Sequence, residues 1–119
     1  MTKPTAASSV QLPHHRLIAY QVSIELLTAV KSAAIRDVKL RDQALRAAKS
    51  ACLNIAEAAG RVSPADRARV FGIARGETGE AAAAVEIAAI AGDTAQTHAQ
   101  ACIAIANRLI ALLTGLVRR

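Results

Sequence analysis

The fold is decided by residues 39–61, KLRDQALRAAKSACLNIAEAAGR, in which polar residues recur with the period of an α-helix. Their spacing places them on one narrow helix face: Lys39, Gln43, Arg46, Ser50, Asn54, Glu57 and Arg61. The opposite face is apolar and carries Leu45, Ala48, Cys52, Ile55, Ala56 and Ala59. Because the polar face mixes amides and a hydroxyl with its charges, it suits specific hydrogen bonds.

This stretch belongs to the second of four predicted helices. We expect the first helix to run from about His14 to Ala34, and the second from about Asp37 to Ala59 with Gly60 as its C-cap. High alanine content, roughly a quarter of the chain, favours helix throughout. No segment has the composition of a strand.

Clear start and stop signals mark the last two helices. Ser63 and Pro64 are typical of an N-cap and first helical position, so the third helix should run from there to about residue 91. The segment 92–94, Gly-Asp-Thr, is expected to end it and cap the fourth. The sequence thus predicts an all-α, antiparallel up-and-down four-helix bundle over residues 14–119, after a flexible tail over residues 1–13.

Self-association follows from the kind of apolar residue present. Buried alanines remove little apolar area from water, so a lone bundle would be only modestly stable. The first helix is also apolar on two sides, with Tyr20 and Ile24 on one and Val22 and Leu26 on the other. In so small a domain, the second side is expected to be covered by another subunit.

The formal net charge of +6 is concentrated in one region. Residues 36–75 hold nine basic and four acidic residues, whereas residues 76–107 contain only acidic charges. Such asymmetry suits nucleic acid, an acidic partner or a head-to-tail contact between copies. The candidates for contacting phosphate are Arg36, Lys39, Arg41, Lys49, Arg61, Arg67, Arg69 and Arg75. With aromatic residues so scarce, such binding would be directed to the backbone rather than to bases.

Two further groups of residues carry structural hypotheses. The first is a polar network that either fixes helix register, joins subunits or lines a ligand groove: Gln43, Arg46, Ser50, Asn54 and Glu57. The second is a glycine row on the third helix that predicts close helix packing, since glycine inside a helix costs about 1 kcal/mol: Gly72, Gly76 and Gly79.

Several function classes are disfavoured. Cys52 and Cys102 are expected to be reduced core residues, and the three histidines lack metal-ligand spacing, so we predict no metal and no cofactor. No nucleophile or phosphate-binding loop is present, which argues against an enzyme. No signal peptide is visible, and the longest apolar run, 81–91, is interrupted by Glu86 and too short to span a membrane, so we expect a cytoplasmic protein.

Nearly half of the chain carries a specific order of residues: LRDQALRAA at 40–48, Ser50, NIAE at 54–57, Gly60-Arg61, Ser63, Phe71, IARG at 73–76 and Glu80. This pattern resembles the four-helix-bundle family named after proteins encoded in intervening sequences of large-subunit ribosomal RNA genes. The resemblance implies homopentamers of four-helix bundles. A related member, the accessory protein of diversity-generating retroelements, binds a reverse transcriptase and nucleic acid through a basic barrel. This chain departs from the family pattern at Glu77, where a serine is usual.

We therefore expect a non-enzymatic oligomeric binding module that contacts nucleic acid, or a nucleic-acid-bound partner, through a basic surface. The alternative is a purely structural homo-oligomer whose polar and charged stripes serve subunit assembly.

Overall fold

A computed structural model describes residues 10–119 and consists of four α-helices. They are α1 (Ile18–Ser32), α2 (Val38–Ala59), α3 (Pro64–Ile90) and α4 (Gln96–Val117), preceded by a 3-10 turn at Pro13–Arg16. No strand occurs among the described residues. The predicted all-α four-helix bundle is confirmed. Most of the predicted tail, residues 1–9, lies outside the described part of the chain.

The predicted starts of α2 and α3 are confirmed by their capping bonds. The carboxylate of Asp37 accepts a hydrogen bond from the Leu40 amide at 2.9 Å, and the Ser63 hydroxyl accepts one from the Asp66 amide at 3.3 Å. Each bond satisfies an amide that has no partner inside its helix. Gly60 follows α2 as predicted, with a right-handed backbone (φ −89°) rather than a left-handed one.

The first helix begins later than predicted. Pro13 opens a separate 3-10 turn, in which the His15 side chain accepts a hydrogen bond from the Leu12 amide at 2.9 Å. Leu17 is extended (ψ 126°), which separates this turn from α1. The ring centroids of His14 and His15 lie 4.3 Å apart, and the Tyr20 ring centroid lies 4.6 Å from that of His14. The expected continuous helix from His14 is therefore corrected to a turn followed by α1.

The connection between α3 and α4 also differs from the prediction. Thr94 does not cap α4; its hydroxyl donates to the Ala33 carbonyl at 2.6 Å. The Arg36 amide donates to the Asp93 carbonyl at 3.0 Å. Gly92 takes a left-handed conformation (φ +82°), and α4 starts after Ala95 without a side-chain cap. These residues thus tie the α3–α4 connection to the α1–α2 connection.

The core is built largely from alanine. Of the 25 buried apolar residues, 13 are alanines, and they concentrate on the facing sides of α2 and α3, for example Ala47, Ala48 and Ala81. Larger side chains fill the space between α1 and α4, among them Leu26, Leu109 and Leu113. Around the bundle, α2 packs on α1 and α3, and α4 packs on α3 and α1. This arrangement brings the first and last helices together.

One helix, α4, is long and apolar enough to cross a membrane by length and composition alone. Only 22% of its most apolar 18-residue window is buried within the bundle. This helix is distinct from the apolar run 81–91, which the sequence indicated as the longest. Its outward side carries alanines together with polar residues such as Gln100, Asn107 and Arg108, and all of these are exposed within the described chain.

Candidate nucleic-acid interface

Arginines collect at the end of the bundle where the 3-10 turn, the last turn of α2, the start of α3 and the end of α4 meet. Arg67 and Arg119 line a groove of about 300 Å³ together with Phe71 and Leu116. A second groove of about 420 Å³ lies between α1 and α4, and Arg16 and Arg119 border it. Both grooves therefore combine apolar floors with guanidinium groups.

A third groove, of about 320 Å³, lies between α3 and α4 and brings Arg75 and Arg118 together around Gly72 and Thr114. Arg61 and Arg69 contact Asp66 beside the start of α3. We call this region the arginine-rich end and define it by Arg16, Arg61, Arg67, Arg69, Arg75, Arg118 and Arg119.

Three members of the arginine-rich end were missed by sequence reasoning, which weighed only residues 36–75. They are Arg16, Arg118 and Arg119, which are distant from that segment along the chain but join it in space. The available signal was the position of an Arg-Arg pair at the end of the last helix. Arg119 lines the same groove as Pro64 and Arg67 at the start of α3.

The eight predicted phosphate contacts do not form one surface. Arg36, Lys39 and Arg41 lie at the start of α2, whereas Arg61 and Arg67 lie beyond its other end. Since α2 has 22 residues, these groups are separated by about 33 Å along its axis. The structure thus divides the predicted basic surface into two groups, with Lys49 exposed between them.

At the α2 start, two arginines are engaged by the chain itself. The Arg36 guanidinium donates to the Gly92 carbonyl, and that of Arg41 donates to the Ile35 carbonyl at 3.5 Å. Lys39 and Lys49 are exposed, and no ion pair or side-chain hydrogen bond joins them to other residues in the range 10–119. These two lysines are the least constrained cations on α2.

Internal bonds also hold four candidates at the arginine-rich end. Arg67 donates to the carbonyls of Arg61 and Val62, at 3.0 and 3.1 Å, and so satisfies the chain just after α2. Arg75 donates to the Thr114 hydroxyl at 2.8 Å. The remaining pairs are the ion pairs of Arg61 with Glu57 and Asp66, and of Arg69 with Asp66 at 2.9 Å.

The polar stripe of α2 joins that helix to α3. Arg46 pairs with Glu77 at 3.3 Å and also with Glu80. The pKa of the Glu77 carboxyl is lowered, most strongly by a hydrogen bond from Ser50 and less strongly by the positive charge and hydrogen bond of Arg46. The two carboxylates in turn raise the pKa of Arg46, with Glu80 the larger influence. The departure from the family pattern at Glu77 is thus one half of an interhelical ion pair.

The other stripe residues bond along α2 itself. Asn54 donates to the Ser50 carbonyl at 2.8 Å and to the Ser50 hydroxyl at 3.1 Å. Glu57 pairs with Arg61 one turn later, which raises the pKa of that guanidinium. Gln43 is exposed. Within the described chain, Arg46 is the stripe residue that joins α2 to α3 by ion pairs.

The glycine row requires a correction. A methyl group added to Gly72, Gly76 or Gly79 would meet nothing within 4 Å. Within the chain, therefore, no neighbouring helix approaches these glycines closely, and Gly72 borders the open groove between α3 and α4. The predicted close packing is absent from the bundle.

Across residues 10–119, no three His, Cys, Asp or Glu side chains form a cluster that could hold a metal ion. Cys52 and Cys102 are buried free thiols, and burial raises the pKa of both. The Cys52 thiol donates to the Ser23 carbonyl at 3.3 Å.

The family model described as 23S rRNA-intervening sequence protein matches residues 15–115 of this chain. The chain belongs to this family. The match spans all four helices and both connections that the structure ties together. The family description names an origin in ribosomal RNA genes and no catalytic activity. A search of curated proteins found no match.

Proposed function

We propose that this family member is a non-enzymatic, cytoplasmic homo-oligomer, a pentamer by family resemblance, that contacts nucleic-acid phosphates through the arginine-rich end. The observation that carries the proposal is the charge at that end, where seven arginines share the surface with two carboxylates, Glu57 and Asp66. Repetition of this end around an oligomer would multiply its field and its salt-sensitive attraction for phosphates.

The proposal includes an up-and-down order of the four helices. Connections 33–37, 60–63 and 91–95 are short, and each helix packs on the next along the chain. Arg75 contacts Thr114, and the earlier Arg67 shares a groove with the later Arg119, which supports opposite directions for α3 and α4. In this order, the end of α4 returns to the start of α3, which is what gathers the arginines.

The bound surface would be the phosphate backbone. Guanidinium groups form paired hydrogen bonds with phosphate oxygens. Base stacking needs exposed aromatic rings, whereas Phe71 is only 5% exposed and Tyr20 lies against the histidines of the 3-10 turn. We therefore expect weak sequence preference and a steep dependence of affinity on salt.

The test is fluorescence anisotropy of labelled RNA and DNA, both duplex and single-stranded, at several salt concentrations. The test variant is Arg118→Glu with Arg119→Glu, because neither side chain forms an ion pair or a side-chain hydrogen bond within residues 10–119. The matched control is Lys39→Glu with Lys49→Glu, which makes the same change in charge on α2. We expect at least a tenfold loss of affinity and a salt slope smaller by about 2 for the test variant.

A control variant that loses as much affinity as the test variant would remove the arginine-rich end from the proposal. A purely structural homo-oligomer is the second candidate, and a specific observation favours it. Six of the eight sequence-predicted cations bond within the chain. For example, Arg36 bonds to the Gly92 carbonyl and Arg67 to the Arg61 carbonyl. No binding at low salt by an intact wild-type oligomer would support this candidate.

A further inference from the structure

The outward side of α3 carries large apolar side chains at the spacing of a helix–helix seam. We call it the isoleucine face: Ile73, Gly76, Glu80, Ala83, Ile87 and Ile90. Its isoleucines are 43%, 50% and 75% exposed in chain order. Steps of three and four residues are those of a seam that packs against another helix. All of its residues except Glu80 are exposed within the described chain, and Glu80 pairs with Arg46 of α2.

The outward side of α4 has a row of residues with the same spacing, in which the side chains are small except for one arginine. We call it the small-residue face: Thr97, Ala101, Ala104, Arg108, Ala111 and Gly115. All six residues are exposed, although α4 as a whole is long and apolar enough to cross a membrane. The apolar residues of this face are therefore also not packed against another part of the described chain.

The two faces lie on different sides of the bundle. Glu80 of the isoleucine face is bonded to Arg46 of α2, whereas Arg108 of the small-residue face lies 3.9 Å from Glu25 of α1. Each face thus leans away from the contact between α3 and α4. They cannot meet within one chain, but one copy can present its isoleucine face to the small-residue face of the next. Such a head-to-tail contact generates rings when the rotation closes.

We propose that the isoleucine face of one copy packs on the small-residue face of a second copy, with the two helices antiparallel. This proposal deepens the oligomer of the proposed function and rests on it. With Glu80 placed opposite Arg108, the opposite charges meet. The same register sets Ile73 against Gly115 and Ile87 against Ala101, so each bulky side chain faces a small one.

The register has a second property that a ring requires. Within one chain, Arg75 lies beside Thr114, so these positions are level along the bundle axis. The proposed pairing of Ile73 with Gly115 between copies differs from the pairing of Arg75 with Thr114 within a chain by one residue in register, or about 1.5 Å along a helix. Copies related by rotation about an axis parallel to the bundle have no displacement along it. The register found from charge and size is therefore compatible with a ring whose axis runs parallel to the bundle.

Disulfide trapping tests the contact directly. Ala83 and Ala104 fall opposite each other in the proposed register, and both are exposed. We expect the double variant Ala83→Cys, Ala104→Cys to form, under mild oxidation, a reducible ladder of covalent multimers that ends at the subunit number of the ring. Either single variant, each with one new thiol, should show no such ladder. The native cysteines are buried, so wild type serves as the background control.

The mass in solution, measured by light scattering, provides the second readout. Ile87→Glu should shift the protein toward the 12.4 kDa monomer, whereas Val62→Glu, at a residue 92% exposed between α2 and α3, should leave the mass unchanged. An oligomer that survives Ile87→Glu and gives no ladder would overturn this contact while leaving the oligomer standing. A monomeric wild type would overturn both, and a monomer that floats with phospholipid vesicles would show that lipid covers α4 instead.

Discussion

Replacing Gly79 by alanine should stabilise the protein, although a glycine row on one helix face suggests the reverse. Gly79 lies inside α3, and an added methyl group would meet nothing within 4 Å. Alanine then costs no contact and restricts the unfolded chain, which is worth about 1 kcal/mol in a helix interior. For a chain of this size, that gain corresponds to a rise in melting temperature of about 4 °C.

Urea unfolding followed by circular dichroism measures this change at fixed protein concentration. With a slope of about 2 kcal/mol/M, the midpoint should rise by about 0.5 M. Gly72→Ala, two turns away, should add a similar amount independently. The contrasting control is Gly92→Ala, because the left-handed backbone there (φ +82°) makes a side chain unfavourable. Destabilisation by Gly79→Ala would refute the conclusion that this face is open and would indicate close approach by another molecule.

Two further predictions concern backbone strain and pH. Ala34 is exposed at φ +45°, so Ala34→Gly should raise the free energy of unfolding by about 0.5 kcal/mol, and a decrease in urea midpoint would contradict the strain argument. The pKa of Glu77 is lower in the folded protein than its ordinary value of 4.5. Its contribution to the free energy of unfolding is therefore present above pH 4.5 and is lost as the pH falls through the pKa of the folded state. The stability difference between wild type and Glu77→Gln should therefore shrink below pH 4.5, and a difference independent of pH would exclude this carboxylate as the source.

Local signals were sufficient to predict the helices that begin with a side-chain cap. Asp37 and Ser63 each satisfy an amide within three residues, so the sequence alone contains the whole interaction. The polar face of α2 was visible for the same reason. Its partners Glu77 and Glu80 were not assigned, because periodicity shows which residues share a face but does not show which helix packs against it.

Features that depend on distant segments escaped prediction. Thr94 has the residue type of an N-cap, but its hydroxyl bonds to Ala33 because two connections meet at the same end of the bundle. Arg16 and Arg119 are separated by nearly the whole chain, yet both border one groove. The prediction of one basic surface was wrong for the opposite reason. The cations at 36–41 and 61–67 belong to one segment of the sequence, but α2 lies between them and places them far apart in space.

The small-residue face of α4 escaped notice for a different reason, since its alanines differ from the core leucines of the same helix in size and not in polarity. Leu109 and Leu113 face the core, whereas Ala104 and Ala111 face outward, and a hydropathy average treats all four as apolar. The same average makes α4 resemble a membrane span. A lipid-facing helix has no need for small outward residues, whereas a helix that receives bulky side chains from a neighbour does. The isoleucine face of α3 supplies such side chains at matching spacing, so the size pattern of α4 favours a second copy over a bilayer as its cover.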